Sequence, residues 1–92
     1  MLVMEPLNPE DHPGYYLRFS EEAFDIVKEV NSPNVKVLFD IYHQQITEGN
    51  LIRNITENID LIAHFHIADN PGRCQPGTGE INYSKVLEAI SK

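Results

Sequence analysis

The sequence predicts an α/β fold: a partial TIM (β/α)8 barrel made of three consecutive βα units with parallel strands. Three observations lead there. Strand-like runs at Leu2–Met4, Val35–Phe39 and Leu61–Phe65 each lead into a residue of metal-ligand type, namely Glu5, Asp40 and His66. Those residues lie 35 and 26 positions apart, near the roughly 30 residues of one βαβ unit. Amphipathic helical stretches alternate with the runs, and strands alternating with helices imply a parallel sheet with right-handed crossovers.

The elements follow in order. Residues 1–7 read as a short buried strand, and residues 8–19 as a Pro/Gly-rich loop containing Pro9, Pro13 and Gly14. Ser20 suits an N-cap, and Glu21 and Glu22 favour the positive start of a helix. Ala23, Phe24, Val27 and Val30 recur at helical spacing, giving an amphipathic helix over about residues 20–31 that ends at Asn31-Ser32-Pro33-Asn34. Residues 35–42, rich in β-branched and aromatic side chains, read as the second strand. Gly49-Asn50 breaks the chain and offers a cap. Leu51, Ile55 and Ile59 then share one helix face, with Ile52 beside them. Residues 61–68 form the third strand and residues 69–80 a second Gly/Pro loop. Asn82 caps a last helix with Tyr83, Val86, Leu87 and Ile90 on its apolar side.

Alternation along a strand places Val3 with Glu5, Leu38 with Asp40 and His64 with His66 on shared faces. If these faces point inward, the three ligand-type residues converge over a deeper layer of Val3, Leu38 and His64, where His64 reads as a packed core histidine. Chemistry in a parallel barrel sits at the C-terminal strand ends. Three strands do not close such a barrel, which takes about 250 residues. The 92 residues are therefore expected to be a fragment of a single barrel domain (1–92), with two open sheet edges and one uncovered face. Self-association, or docking with the missing barrel half, is the expected remedy.

Composition narrows the function classes. Hydrophobic content of 41% and charged content of 23% fit a soluble globular chain. No apolar run approaches the ~20 residues of a membrane helix, and no basic segment precedes an apolar one as in a signal peptide, so no membrane partner and a cytoplasmic location are expected. A net charge of −7 without a Lys/Arg cluster argues against a nucleic-acid surface. Cys74, the one cysteine, cannot form an internal disulfide and has no nearby base. The Gly72-to-Gly79 loop lacks the Gly-Lys-Ser/Thr ending of a phosphate-binding P-loop. Tyr15 and Tyr16 suit either a lid or packing against a helix.

Several stretches resemble a known family: Glu5-Pro6-Leu7-Asn8, Pro13-Gly14-Tyr15-Tyr16-Leu17, Phe39-Asp40-Ile41-Tyr42-His43-Gln44-Gln45 and Gly49-Asn50-Leu51. The longest run from His64-Phe65-His66 to Asn70-Pro71-Gly72-Arg73 and from Pro76-Gly77-Thr78-Gly79-Glu80 to Tyr83. Together they resemble the xylose isomerase-like TIM-barrel superfamily, and within it the hydroxypyruvate isomerase family. The resemblance implies strands five to seven of an eight-stranded barrel, with a fourth metal ligand, a glutamate, on a strand beyond Lys92. Position 66 departs from it: many hydroxypyruvate isomerases resemble one another in having glutamine there, whereas ketose 3-epimerases of the superfamily have histidine.

The chemistry implied is isomerisation of a small hydroxy-carbonyl substrate, hydroxypyruvate to tartronate semialdehyde, through an enediolate. Glu5 is the expected metal ligand and proton-transfer base. Asp40 and His66 complete a donor set that suits Mn²⁺, Mg²⁺ or Co²⁺ with positions left for a bidentate substrate. His43 is expected to contact a substrate oxygen, and Arg73 to grip a carboxylate with two parallel hydrogen bonds. Each has an ordinary alternative: a strand-end glutamate, an N-capping aspartate, a loop histidine, a surface arginine. Three further functions compete. A ketose 3-epimerase would use the same ligands. An abasic-site endonuclease of the superfamily would need an Asp-x-His after His66, which is absent. The chain could also be a non-catalytic remnant, and little activity is expected of the 92 residues alone.

Overall fold

The computed structural model describes residues 1–91 and contains three strands and four helices. The strands are β1 (Leu2–Met4), β2 (Val35–Asp40) and β3 (Ile62–His66); they form one sheet in the order β1-β2-β3, with both pairs parallel. The helices are α1 (Ser20–Val30), α2 (Ile41–Thr47), α3 (Leu51–Glu57) and α4 (Tyr83–Ile90), and a single 3-10 turn (Ile59–Leu61) leads into β3. The predicted order of βα units and the parallel sheet are therefore present.

Packing makes the two sheet faces unequal. Val37 and Phe39 are fully buried, with Met4, Val35, Ile62 and Phe65 packed beside them on the helix-facing side. Phe39 stacks at 6.5 Å on Phe24 of α1 and meets Phe65 at 6.1 Å. Ala23, Val27, Ile55 and Val86 complete the core, each large aliphatic or aromatic side chain contributing about 1.5–3 kcal/mol by leaving water. The opposite face carries Val3, Leu38 and His64 with no helix over it among the described residues. There Val3 and His64 are exposed, so the packed core histidine expected at position 64 is instead an open one. It meets His66 edge-on at 5.2 Å.

Register explains how β3 serves both faces. Val37 pairs with Ile62, but Leu38 pairs with His64, so Ala63 is an extra residue. A bulge of this kind resets the alternation. It lets Ile62 and Phe65 both face the helices while His64 and His66 stand beside Leu38 and Asp40.

Other boundaries differ from the sequence reading. The second strand stops at Asp40, and α2 begins at once. Ile41 and Tyr42, read as the end of that strand, instead form the first turn of α2, where Asp40 caps the helix and Ile41 is fully buried; tertiary packing overrides local propensity. Phe19, not Ser20, is the N-cap of α1; the Ser20 amide donates to Glu48 Oε2 at 3.3 Å. Asn50 stands at the start of α3 in a left-handed conformation, and its side chain makes no capping bond. Asn82 does cap α4, accepting the Lys85 amide at 3.2 Å.

Candidate metal centre

The site is built on the C-terminal ends of the three strands. Asp40 closes β2 and opens α2, and its two oxygens divide the work. Oδ1 accepts the His43 amide N–H at 3.2 Å, capping α2. Oδ2 faces the other way, 3.6 Å from Nδ1 of His66 and 3.5 Å from Nη2 of Arg73. The capping role that competed with the ligand role is thus present on one oxygen, while the other faces the site and is met by Arg73 and His66. Glu5 follows β1, with Oε2 3.7 Å from the same His66 nitrogen. Asp40 is 2% exposed, Glu5 30% and His66 48% in their side chains.

Electrostatics suit a cation here. Burial, the Asp40 charge and a hydrogen bond to Asp40 hold the Glu5 carboxyl above its ordinary value, while His66 and Arg73 oppose them. Two carboxylates and an imidazole nitrogen converging on one point form a hard, anionic donor set that a divalent ion neutralises. Among the described residues, the donor atoms that all lie within 4.8 Å of one another are those of Glu5, Asp40 and His43, so His43, expected to contact substrate, stands at ligand distance from the two carboxylates in the place expected of His66.

His43 lies on α2, not in a loop, and is 1% exposed. Asn8, fully buried in the loop after β1, approaches its Nδ1 from two sides: side-chain Nδ2 at 2.8 Å and backbone N–H at 3.4 Å. Asn8 is oriented by Asp11, whose amide donates to Asn8 Oδ1 at 2.8 Å and whose Oδ2 accepts from Asn8 Nδ2 at 3.3 Å. Asp11 Oδ2 also accepts the Tyr42 hydroxyl. Those bonds, Tyr42's first, hold the Asp11 carboxyl below its usual value. Burial depresses His43, with Asp40 opposing, so its neutral form is favoured.

Arg73 joins the site from the loop after β3. Its guanidinium lies 4.9 Å from the Tyr42 ring centroid, with Nη2 3.4 Å from His43 Nε2. Its φ is +57°, a left-handed conformation that costs a non-glycine residue about 1–3 kcal/mol and recurs at functional sites. The loop holds that strain through Asp69. The Asp69 carboxylate accepts the amides of Asn70, Gly77, Gly79 and Ile81 at 2.9–3.1 Å, and its backbone exchanges two hydrogen bonds with Cys74. Burial alone would raise the Asp69 pKa, but the four amides leave it lowered. Gly79 is required there, since a Cβ would meet the Asn70 carbonyl oxygen at 1.9 Å. Tyr83 ties α4 to the end of β3: its hydroxyl donates to the Ala68 carbonyl at 2.6 Å and accepts the Ala68 amide at 3.0 Å, and burial pushes it up to about 12.

All five sequence-selected residues, Glu5, Asp40, His43, His66 and Arg73, therefore meet in one place. Tyr15 reaches the site's edge, donating to the Glu5 carbonyl at 3.3 Å, while Tyr16 is 84% exposed. The supporting Asn8, Asp11, Tyr42 and Asp69 were not selected. Asn8 stands three residues beyond Glu5 and Asp69 three beyond His66, and polar residues just past a strand end next to Gly/Pro loops were the available signal.

Parallel strands with ligand-type side chains at their C-terminal ends define a barrel-type α/β site. The chain belongs to the xylose isomerase-like TIM barrel family, which it matches over residues 1–92. It is 43% identical over 90 residues to hydroxypyruvate isomerase of Escherichia coli (strain K12), a match covering 98% of this chain and 35% of that protein. It is 40% identical over 89 residues to 2-oxo-tetronate isomerase of Cupriavidus necator, covering 97% and 34%. Among solved structures it superposes on AP endonuclease, family 2, from Brucella melitensis with a TM-score of 0.92 at 40% identity, covering 97% of this chain and 34% of that one. It superposes on 3-keto-D-glucoside 4-epimerase from E. coli with a TM-score of 0.84 at 32% identity, covering 97% and 33%. The chain thus spans about a third of the length of the relatives it matches. Among the described residues no helix is long and apolar enough to cross a membrane.

Proposed function

We propose that this chain carries most of the metal and substrate site of a hydroxy-carbonyl isomerase, of the kind that interconverts hydroxypyruvate and tartronate semialdehyde. The observation that carries the reading is that Glu5 Oε2 and Asp40 Oδ2 lie 3.7 and 3.6 Å from one nitrogen of His66, with Arg73 beside them. Glu5, Asp40 and His66 would hold Mn²⁺, Mg²⁺ or Co²⁺, which when bound supplies charge stabilisation to adjacent substrate oxygens.

This chain's residues have separate tasks. Glu5 takes a proton from C3 of hydroxypyruvate and returns one to C2, while a hydroxyl proton passes from the C3 oxygen to the C2 oxygen. Its raised proton affinity suits a base that must also give the proton back. His43 donates to a substrate oxygen. Arg73, already pinned against Tyr42 and Asp40, offers its fork to the substrate carboxylate.

A ketose 3-epimerase is the second reading, favoured by histidine at position 66 and by the likeness to a sugar epimerase structure. Net charge of −7 weighs against DNA as substrate, whatever the name of the Brucella neighbour. The uncovered sheet face and the free edges of β1 and β3 favour assembly with further barrel strands or with a second copy. The deciding experiment replaces the matching third of the E. coli hydroxypyruvate isomerase with this chain. Turnover of hydroxypyruvate by the chimera is expected. Turnover of ketoses alone selects the epimerase, and cleavage of abasic DNA overturns both.

A further inference from the structure

We propose that Asn8 is a positioning residue that locks His43 in its Nε2-protonated tautomer, the form that the donor role already assigned to His43 requires. This rests on the isomerase reading only for the identity of the substrate oxygen. The tautomer itself follows from who faces each ring nitrogen.

Nδ1 faces two donors. The Asn8 backbone N–H can only donate, and it points at Nδ1 from 3.4 Å. The Asn8 side-chain nitrogen stands at 2.8 Å, and its identity as nitrogen is set by both of its neighbours. The Asp11 amide, a donor, sits against Oδ1, while the Asp11 carboxylate, an acceptor, sits against Nδ2. Flipping the amide would break both contacts. Nδ1 must therefore present its lone pair, and in a neutral imidazole the proton is on Nε2.

The opposite tautomer would satisfy one contact, the 3.4 Å approach of Arg73 Nη2 to Nε2. It would set a ring N–H against two donors at Nδ1, one of them at 2.8 Å. Two contacts, one short, outweigh one long contact. With Nε2–H in place, the N–H groups of His43 and Arg73 flank Asp40 Oδ2 at 3.8 and 3.5 Å. Together they line the same side of the site, where a substrate oxygen can accept from both.

Ligation by His43 is disfavoured on the same grounds. A histidine that binds a metal through one nitrogen generally donates its other N–H to an acceptor. His43 has the reverse arrangement: its far nitrogen is met by donors, and its near nitrogen carries the proton. His66, whose Nδ1 faces both carboxylates, takes the ligand position.

The test is a long-range ¹H–¹⁵N correlation spectrum of the imidazoles in the metal-free chain, with His43 assigned through a His43→Gln sample. The expected pattern for His43 is a bare Nδ1 and a protonated Nε2. Asn8→Ala should give a mixture of tautomers. Asn8→Asp, nearly the same size, should convert His43 to the Nδ1–H form, because a carboxylate accepts where the amide donated. The amide fingerprint confirms that each variant is folded. A protonated Nδ1 in the unsubstituted chain, or one tautomer unchanged across folded variants, overturns the proposal. If the tautomers behave as expected but the chimera does not turn over hydroxypyruvate, the functional reading alone fails. An active chimera with the opposite tautomer sinks only the role of Asn8.

Discussion

Oδ2 of Asp40 stands 3.6 Å from Nδ1 of His66, across paired positions of β2 and β3. That pairing exists because Ala63 bulges out of the register. Without the extra residue, the side chain beside Asp40 would belong to the opposite face. A backbone irregularity thus builds the site, and Glu5 closes it from β1.

Asp40 has two roles that substitution separates. Asp40→Asn keeps an oxygen for the α2 cap but loses the charge at the site. Asp40→Ala loses both, and should cost about 1 kcal/mol more in stability from the missing cap. Both should weaken Mn²⁺ binding by more than the ~10–100-fold typical of changes behind a ligand. Denaturation curves and metal titrations of the two variants check this.

Acid stability should depend on Asp69. Its folded pKa lies below 3.8, so the unfolded chain takes up the proton first as pH falls. The stability Asp69 contributes is therefore present above about 3.8 and lost as pH drops through the folded value. Asp69→Asn should flatten the acid-unfolding curve in that range. It should also speed amide exchange at one pair of amides, Gly77 and Gly79 on Oδ2 or Asn70 and Ile81 on Oδ1, because the substitution replaces one acceptor oxygen with a donor and keeps the other. Circular dichroism against pH and exchange spectra read the two effects.

Arg73 should decide between acids and neutral sugars. A charged hydrogen-bonding pair contributes about 1.5–3 kcal/mol, so Arg73→Met in the chimera should raise KM for hydroxypyruvate by roughly 10–100-fold. Arg73→Lys keeps the charge without the fork and should recover only part of the loss. Steady-state kinetics on hydroxypyruvate and on an uncharged ketose separate this from a general defect, because the ketose should be far less affected.

The unequal sheet faces give a stability contrast. Phe39→Ala, in the packed layer with Phe24 and Phe65, should cost about 3–5 kcal/mol. Val3→Ser, on the open face, should stay within about 0.5 kcal/mol. Chemical denaturation of both variants tests whether the core lies wholly on the helix side.

Much of this was legible before the structure. Strand runs ending in Glu5, Asp40 and His66 mark the parallel units, because alternation and spacing are written directly into the chain. Helix α2 was not legible, since Ile41 and Tyr42 read as the end of the second strand and a helix following its strand without a turn leaves no loop to mark it; its cap, Asp40, reads equally as a strand-end ligand. The exposure of His64 follows from the uncovered face that three strands alone imply; a packed histidine at that position needs the remaining strands of a closed barrel. Asn8 and Asp69 act by donating to or accepting from groups brought near by the fold, and sequence spacing carries no record of those partners.

The most direct test of the account is the pattern of line broadening when trace Mn²⁺ is added to the chain and its NMR spectrum is recorded. Broadening should be strongest at Glu5, Asp40 and His66, and should vanish from them in Asp40→Asn. Broadening spread along the acidic first turn of α1, with those three residues unaffected, would contradict the metal centre proposed here.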